Sequence, residues 1–375
     1  MKIAIVVPGG VDRSGTDKVI PCQLWLIERL AAGDDEVHVF ALYQEPRPGR
    51  WRLLGAKVHN AGARPQRLRA LAQMLKEHRR GRFDVVHAFW AAGPGVTAAL
   101  FGSLTGVPTI VTLPGGDLAA IPDIHYGARL SWRGRLTTHF ALSRARMVTA
   151  PSHWMAARAA AIGVEARRLP YGVALDRWPV RSPRARDPRQ PIRLVHVASL
   201  NPVKDQATLL HAARALRDRG VDYRLEMIGD DTLDGRVQRL CSTYDLDQHV
   251  VFLGFLSHAE LRLRIEQADM LVISSRHEGV PIAALEAAIA GVPTVGTAVG
   301  QIADWAPDAA LAVPVGDGDA LAAAIETLAA DEPERLRLAR NAQARAIAED
   351  ADRTARMTRD LYVEVQARKS GPRAS

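Results

Sequence analysis

The sequence predicts an α/β protein built from two parallel-sheet domains, and three observations lead there. Short, β-rich apolar runs alternate with helical stretches along the whole chain. At 375 residues the chain is long for one hydrophobic core and suited to two. A Pro- and Arg-rich stretch without periodicity, "PVRSPRARDPRQP" at 179–191, parts these runs into halves of similar size.

In the first half the strands read "KIAIVVP", "EVHVFALY", "DVVHAF", "PTIVTL" and "MVTAPS", with helices between them at 19–32 and, amphipathic and basic, at 66–80. In the second half they read "IRLVHVASL", "YRLEMIG", "VVFLGF", "MLVISS", "PTVGTAV" and "ALAVPVG". Helices are expected there near 206–219, 233–245, 258–267, 281–290 and 318–330. The expected division is a first domain over 1–180, a linker at 181–191 and a second domain over 192–350. A last helix, read over 333–368, is expected to pack back on the first domain, with 351–375 as crossing helix and tail. Two such sheets flanking a linker imply a cleft, and ligands collect at the carboxyl ends of parallel strands.

Composition excludes several classes. Cys22 and Cys241 lie far apart with no CxxC, which gives neither a disulfide framework nor a zinc site and fits a reducing cytosol. The opening "MKIAIVV" reads as a buried strand rather than a signal peptide, and no apolar run reaches the length of a membrane span. A cytoplasmic location is therefore expected. The net charge of +8 is concentrated. Residues 47–82 hold eleven basic residues (Arg47, Arg50, Arg52, Lys57, Arg64, Arg67, Arg69, Lys76, Arg79, Arg80 and Arg82) against one acid, Glu77. Such a field favours a phosphoryl ligand, an acidic lipid surface or nucleic acid. The helix at 66–80, with Leu68, Leu71, Ala72 and Leu75, suits either a peripheral contact with an anionic inner membrane face or an ordinary core face.

The densest chemistry lies in "SRHEGVPIAALEAAIAGVPTVGT" at 275–297. The buried strand "MLVISS" ends in a polar turn, Pro281 suits the first position of a helix, and Gly291 with Pro293 ends it. Backbone N–H groups and the positive dipole end just after Glu278-Gly279-Val280 make an anion site, most naturally for a phosphate. Ile282, Leu285 and Ile289 form the expected buried stripe, with Glu286 off it and directed to the same place as Glu278. A carboxylate beside an anion site repels phosphate unless it faces another part of the ligand. Vicinal hydroxyls of a sugar or ribose suit both glutamates; the plainer alternative is a capping Glu and a solvated one. His87, after "FDVV", is expected at a strand end facing the cleft; His277 adjoins Glu278; His196 is expected in the core. No metal cluster and no GxGxxG after a strand is found, which disfavours a dinucleotide oxidoreductase.

The E-x7-E pattern, after "SR" and before "GVP", resembles the donor-site signature of retaining GT-B glycosyltransferases, family 4 in particular. It recurs with "HVASLNPVKDQATLLHAARAL", "MIGD", "VVFLGFLSHAEL" and "QADMLVISS" in that family's order, and more weakly with "PGG", "FDVVHAFW", "TLPGGD" and "PYGVALDRW" in the first half. The resemblance implies a GT-B fold: two Rossmann-like domains facing across a cleft, acceptor on the first, nucleotide sugar on the second, and the C-terminal helix returning to the first. It implies that Glu286 holds the ribose hydroxyls and Glu278 the donor sugar, with Gly279, Val280, Pro281 and Ile282 near sugar and phosphate. Lys204 is implied at the diphosphate, Gly254, Phe255 and Leu256 at the base, Ser199 and Gly229 in the donor pocket, and Gly9 and Gly10 closing over it. The implied catalytic set is Lys204, Glu278, His87 and Asp117.

Three positions depart from the family's pattern. Ala198-Ser199 stands where the family has Gly-Arg, so an arginine is missing from the diphosphate clamp. Pro114-Gly115-Gly116-Asp117 replaces a His-Gly-x-Asp, and Gly300-Gln301-Ile302-Ala303-Asp304 ends in a shorter acid. Arg276 and Arg13 are candidates to fill in. The expected function is retaining, metal-independent transfer of a hexose-type sugar from a UDP- or GDP-sugar co-substrate to a lipid-linked, polysaccharide or small-molecule hydroxyl. No other cofactor and no nucleic-acid partner is expected. The alternatives are a degenerate glycosyltransferase-like partner subunit and a nucleotide-sugar epimerase.

Overall fold

The computed structural model describes residues 1–367, which form two compact units. The first is Met1–Gly172 with the chain from Ala351 onward; the second is Val173–Asp350.

In the first unit the strands are β1 (Lys2–Val7), β2 (Glu36–Ala41), β3 (Gly49–Leu53), β4 (Ala56–Asn60), β5 (Val85–Phe89), β6 (Thr109–Thr112), β7 (Met147–Ala150) and β8 (Arg167–Arg168). The helices are α1 (Pro21–Ala31), α2 (Gln66–Arg80), α3 (Val96–Thr105), α4 (Trp132–Arg144) and α5 (His153–Ala160). The sheet order is β3-β4-β2-β1-β5-β6-β7-β8, parallel except for the β3–β4 hairpin. That hairpin was hidden inside the basic tract because "GRWRL" alternates arginine with apolar residues on an edge strand. β1, β5 and β6 are buried almost throughout and so read as continuous apolar runs.

In the second unit the strands are β9 (Ile192–Val197), β10 (Tyr223–Ile228), β11 (Val250–Gly254), β12 (Met270–Ile273), β13 (Thr294–Thr297) and β14 (Leu311–Val313). Its helices are α6 (Gln206–Asp218), α7 (Arg236–Thr243), α8 (His258–Gln267), α9 (Ile282–Ile289), α10 (Gly300–Trp305), α11 (Gly318–Ala330) and α12 (Glu332–Ala348). All pairings are parallel, in the order β11-β10-β9-β12-β13-β14. In each sheet the chain first winds outward on one side and then returns to the centre. The reversal falls between β1 and β5 in the first sheet and between β9 and β12 in the second. Loops leaving the carboxyl ends of those strand pairs diverge, which is where an α/β sheet opens a binding crevice.

Three expectations are corrected. The last helix is two helices, α12 and α13 (Ala351–Ala367), broken at Glu349-Asp350. α13 belongs to the first unit, where Leu361, Tyr362 and Val365 are buried and Arg359 donates to the Arg29 and Leu30 carbonyls ending α1. The residues after 367, part of the expected tail, lie outside the described residues. The 181–191 segment is not a free linker but part of the second unit. Its arginines find backbone acceptors there, Arg184 on the carbonyls of Gln267 and Ala268, while the Arg186 amide donates to Glu332. The apolar stripe of the 66–80 helix is divided: Ala70 and Met74 are in the core, Leu71 and Leu75 are partly buried against it, and Leu68 and Ala72 face outward.

Candidate functional site

The reversal in the second sheet gathers the residues singled out in 275–297. β9 ends at Val197 and β12 at Ile273, and the loops that follow are stitched together. The Arg276 amide donates to the Val203 carbonyl at 2.8 Å, and Ser274 Oγ donates to the Lys204 carbonyl at 2.8 Å. Lys204 leaves a turn closed by Asn201, whose Oδ1 accepts from the amides of Val203 and Lys204. This backbone scaffold sets the Lys204 Nζ at 2.5 Å from Glu278 Oε1, which also accepts from Ser275 Oγ at 2.7 Å. Glu278 is buried and Lys204 three-quarters so, and in such a setting a charge-assisted pair is stronger than on an open surface. The sequence singled out the lysine and the glutamate, but Ser275 and Asn201 carried no signal beyond being polar turn residues.

Glu278 and Gly279 are held from behind by the first turn of α10. Gly300 has φ +54, and a Cβ there would stand 2.5 Å from the Gly279 carbonyl oxygen and 2.9 Å from that of Glu278. The Gln301 amide donates to the Gly279 carbonyl. Val280 and Pro281 follow, both buried, and α9 starts at Ile282 without a side-chain cap, which leaves its first amides for another acceptor. Glu286 departs from expectation. Every residue of α9 from Ala283 to Ile289 is buried, so there is no polar side for it to lie on. Among the described residues no hydrogen bond or ion pair reaches its carboxyl, and burial lifts that group to about 8. A neutral carboxyl both donates and accepts, which suits a diol as well as the ionised form does.

The same edge carries Ser199, Gly229 and Gly254 in one line across β9, β10 and β11. Gly229 has φ +145, and a Cβ on it would meet the Ala198 carbonyl oxygen at 2.2 Å; its amide donates to the Gly254 carbonyl at 2.9 Å. Ser199 and Gly254 are exposed, Phe255 is half exposed, and Leu256 is partly covered. His196 lies in the core as expected. Its Nδ1 meets the Val272 carbonyl at 2.9 Å and its Nε2 the Gln206 amide at 3.2 Å, and burial lowers it to about 4. His277 is buried on the loop between Ser275 and Glu278, next to the partly buried Arg276.

The four candidates in the first unit have different fates. Gly9 and Gly10 follow β1 at the reversal of the first sheet; Gly9 packs on the Tyr43 carbonyl and Gly10 has φ +79 against Ile20, so both serve the turn itself. His87 lies in the middle of β5, opposite Ile5, and not at its end. It is fully buried, with Nδ1 at 2.9 Å from Tyr362 Oη and Nε2 at 2.6 Å from Thr112 Oγ1. Burial drops it to about 3, and with both nitrogens engaged it offers no group to a substrate. Asp117 is buried but lines a recess beside the turn after β5: Oδ1 accepts from the Ala91 and Ala92 amides, Oδ2 has no partner among the described residues, and burial raises the carboxyl to about 7. It orders that turn. The turn walls the recess, of about 530 Å³ at the first reversal, between Pro8, Tyr43, Trp90 and Tyr126, with Arg67 also on its wall. Trp90, at φ +72, is a non-glycine in the left-handed region at the edge of this recess, a strain invisible in the sequence. Arg13, a candidate to replace the missing arginine, is in this unit and is taken by Glu45 at 2.6 Å.

Comparison with known proteins follows the same division. The family model for glycosyl transferases group 1 matches residues 181–345, and that for the glycosyl transferase 4-like domain matches residues 19–172. The D-inositol 3-phosphate glycosyltransferase of Pseudarthrobacter chlorophenolicus is 26% identical across 95% of this chain and 91% of its own. Sucrose-phosphate synthase from Thermosynechococcus elongatus has the same fold, with a TM-score of 0.82 at 19% identity over 98% of this chain and 100% of that one. Anabaena Alr3699/HepE in complex with UDP-glucose gives 0.75 at 17% identity over 97% and 100%.

Proposed function

Because the chain is a GT-B glycosyltransferase of the family 4 kind, a 4-like domain followed by a group 1 domain, we propose that it moves a sugar from a nucleoside-diphosphate donor to an acceptor hydroxyl with retention of configuration. The observation that carries this reading is the Lys204–Glu278 contact, set at the reversal of the second sheet beside the uncapped start of α9. A cation and a buried carboxylate held together before a ligand arrives are the two groups that a diphosphate and a sugar need separately. On binding, Lys204 turns to the diphosphate, Glu278 to the sugar hydroxyls and Glu286 to the ribose diol. Gly279, Val280, Pro281 and Ile282 line the sugar and phosphate; Ser199, Gly229, Gly254, Phe255 and Leu256 line the nucleoside. A uridine base is favoured, since the structural neighbour Alr3699/HepE is named in complex with UDP-glucose.

The proposed step needs no protein nucleophile. The acceptor oxygen bonds to the anomeric carbon on the face from which the diphosphate leaves, and the departing phosphate oxygen takes the hydroxyl proton. Lys204 and the α9 amides stabilise the charge that grows on the leaving group, as preorganised donors do. Titration with UDP, GDP and ADP by calorimetry comes first, and binding of none of them would sink the donor assignment. Incubation with UDP-sugars then separates the functions: transfer releases UDP, epimerisation interconverts the sugars, and a partner subunit does neither. Proton NMR of the new linkage reads the configuration.

A further inference from the structure

The end of the second sheet away from the Lys204–Glu278 loops holds a cavity of about 450 Å³, within the roughly 300–1,000 Å³ range of small-molecule pockets. It lies at the amino ends of β9, β10 and β12, and its wall is charged. Arg186 comes from the 181–191 segment, Arg193 from the start of β9 and Arg224 from the start of β10, with Asp187 and Asp269 between them.

The two acids are already held. Asp269 is buried; its Oδ1 accepts from Arg184 Nη2 at 3.1 Å and more loosely from Arg193 Nη2 at 3.5 Å, and its Oδ2 accepts from the Arg193 amide at 2.9 Å. Asp187 takes both arms of the Arg189 guanidinium, each at 3.2 Å, together with the Arg189 amide. Arg186 spends Nη1 on the carbonyls of Asp187 and Gln190. The Arg224 guanidinium makes no hydrogen bond or ion pair among the described residues. It stands beside Arg193 in the register of β9 and β10, both exposed, where two like charges repel. Burial first, and the charges of Arg193 and Arg335 after it, hold the adjoining Arg184 below its ordinary range although Asp269 pulls the other way.

With Arg184 matched to Asp269 and Arg189 to Asp187, the charges of Arg186, Arg193 and Arg224 are left over. Arginines spread over a surface are solvated singly, whereas around one cavity their fields add and the low-dielectric walls focus them. A guanidinium fork matches the oxygens of a phosphoryl group, giving two parallel hydrogen bonds. A phosphoryl dianion has oxygens enough for all three arginines, and a single carboxylate does not.

We infer that the amino end of the second sheet is a binding site for a small phosphorylated molecule, with Arg186, Arg193 and Arg224 holding its phosphoryl group. Val197 and Ile273 close the other ends of β9 and β12, so this ligand does not compete with one bound beside Lys204 and Glu278. Through Arg186 it ties the 181–191 segment to the edge formed by β9 and β10. The inference stands apart from the donor site and does not depend on it.

The test is calorimetric titration of the full chain with inorganic phosphate, inorganic diphosphate and glycerol phosphate, each against sodium chloride at matched ionic strength. Saturable binding of at least one is expected, and it should persist in Lys204→Ala, where a diphosphate held at the donor site would be weakened. Arg224→Ala removes no hydrogen bond or ion pair within the chain, and circular dichroism like that of the parent would show it folded. It should weaken binding by about tenfold or more, as the loss of a hydrogen bond to a charged group does, and Arg224→Glu should abolish binding. Glycerol phosphate binding more tightly than phosphate assigns the site to an ester, and equal affinity assigns it to free phosphate. Binding of none of the three, heat that chloride reproduces, or an affinity unchanged in Arg224→Ala overturns the inference. So does binding that Lys204→Ala removes and Arg224→Ala does not, which would return the anion to the donor site.

Discussion

A carboxyl as enclosed as Glu286 makes stability depend on pH in a set direction. At acid pH it is protonated in folded and unfolded chains alike and its burial is nearly neutral. Between the ordinary value of 4.5 and about 8 only the unfolded chain ionises it, so the fold loses stability across that window. Glu286→Gln removes the difference. Denaturant unfolding should find the variant more stable than the parent at pH 8, by roughly 2 to 4 kcal/mol before any penalty from the buried amide, with the gain gone by pH 5. The same substitution should weaken UDP binding if the carboxyl holds the ribose. Lys204→Ala acts on the other half of the site. It leaves Glu278 with Ser275 alone, and turnover should fall by at least about a hundredfold, typical of a lost charge-stabilising donor, with a smaller change in UDP affinity. Equal effects on binding and turnover would mean that the lysine serves only to hold the ligand.

Among the elements, the start of α10 is the firmest support of the site. Gly300→Ala puts a methyl 2.5 Å from the Gly279 carbonyl at a backbone angle unfavourable to alanine, so the 278–281 turn must move. Loss of UDP binding is expected with a drop of about 1–3 kcal/mol in stability, measured by calorimetry and urea unfolding. Elements of this kind set the limit of what could be read from the sequence. β1, β5, β9 and β12 were legible because parallel strands buried on both faces are simply apolar, whereas their order in the sheets and the contact between Lys204 and Glu278 came only with the structure. The hairpin β3–β4 and the break between α12 and α13 were not, since arginine-rich edge strands and helix pairs lack an apolar signature. His87 was read at the end of its strand, because a run of buried residues does not show where the strand stops; it lies mid-strand, against Tyr362. Asp117, placed by the resemblance, lies on the recess wall with Oδ1 accepting from the Ala91 amide.

For the whole molecule, the division of the chain matters more than its midpoint. The first unit is closed by α13, whose Leu361, Tyr362 and Val365 are buried and whose Arg359 binds the end of α1. Burying three such side chains contributes about 1.5–3 kcal/mol each, a large part of what holds a domain folded. A chain ending at Asp350 should therefore lose the cooperative unfolding of the first unit while residues 173–350 keep theirs, as hydrogen exchange on the two halves would show. Retention of full protection in 1–172 would refute this.

The return of α13 also sets an order in time. A ribosome finishes the first sheet long before it makes the helix that covers α1, and at about 5–20 residues per second the wait is on the order of ten to forty seconds. That interval is the time in which the second unit, Val173–Asp350, is made, so all its strands and helices are synthesised before α13. The half of the protein synthesised first is thus the last to be completed, and its uncovered flank is the surface that a nascent-chain chaperone would meet.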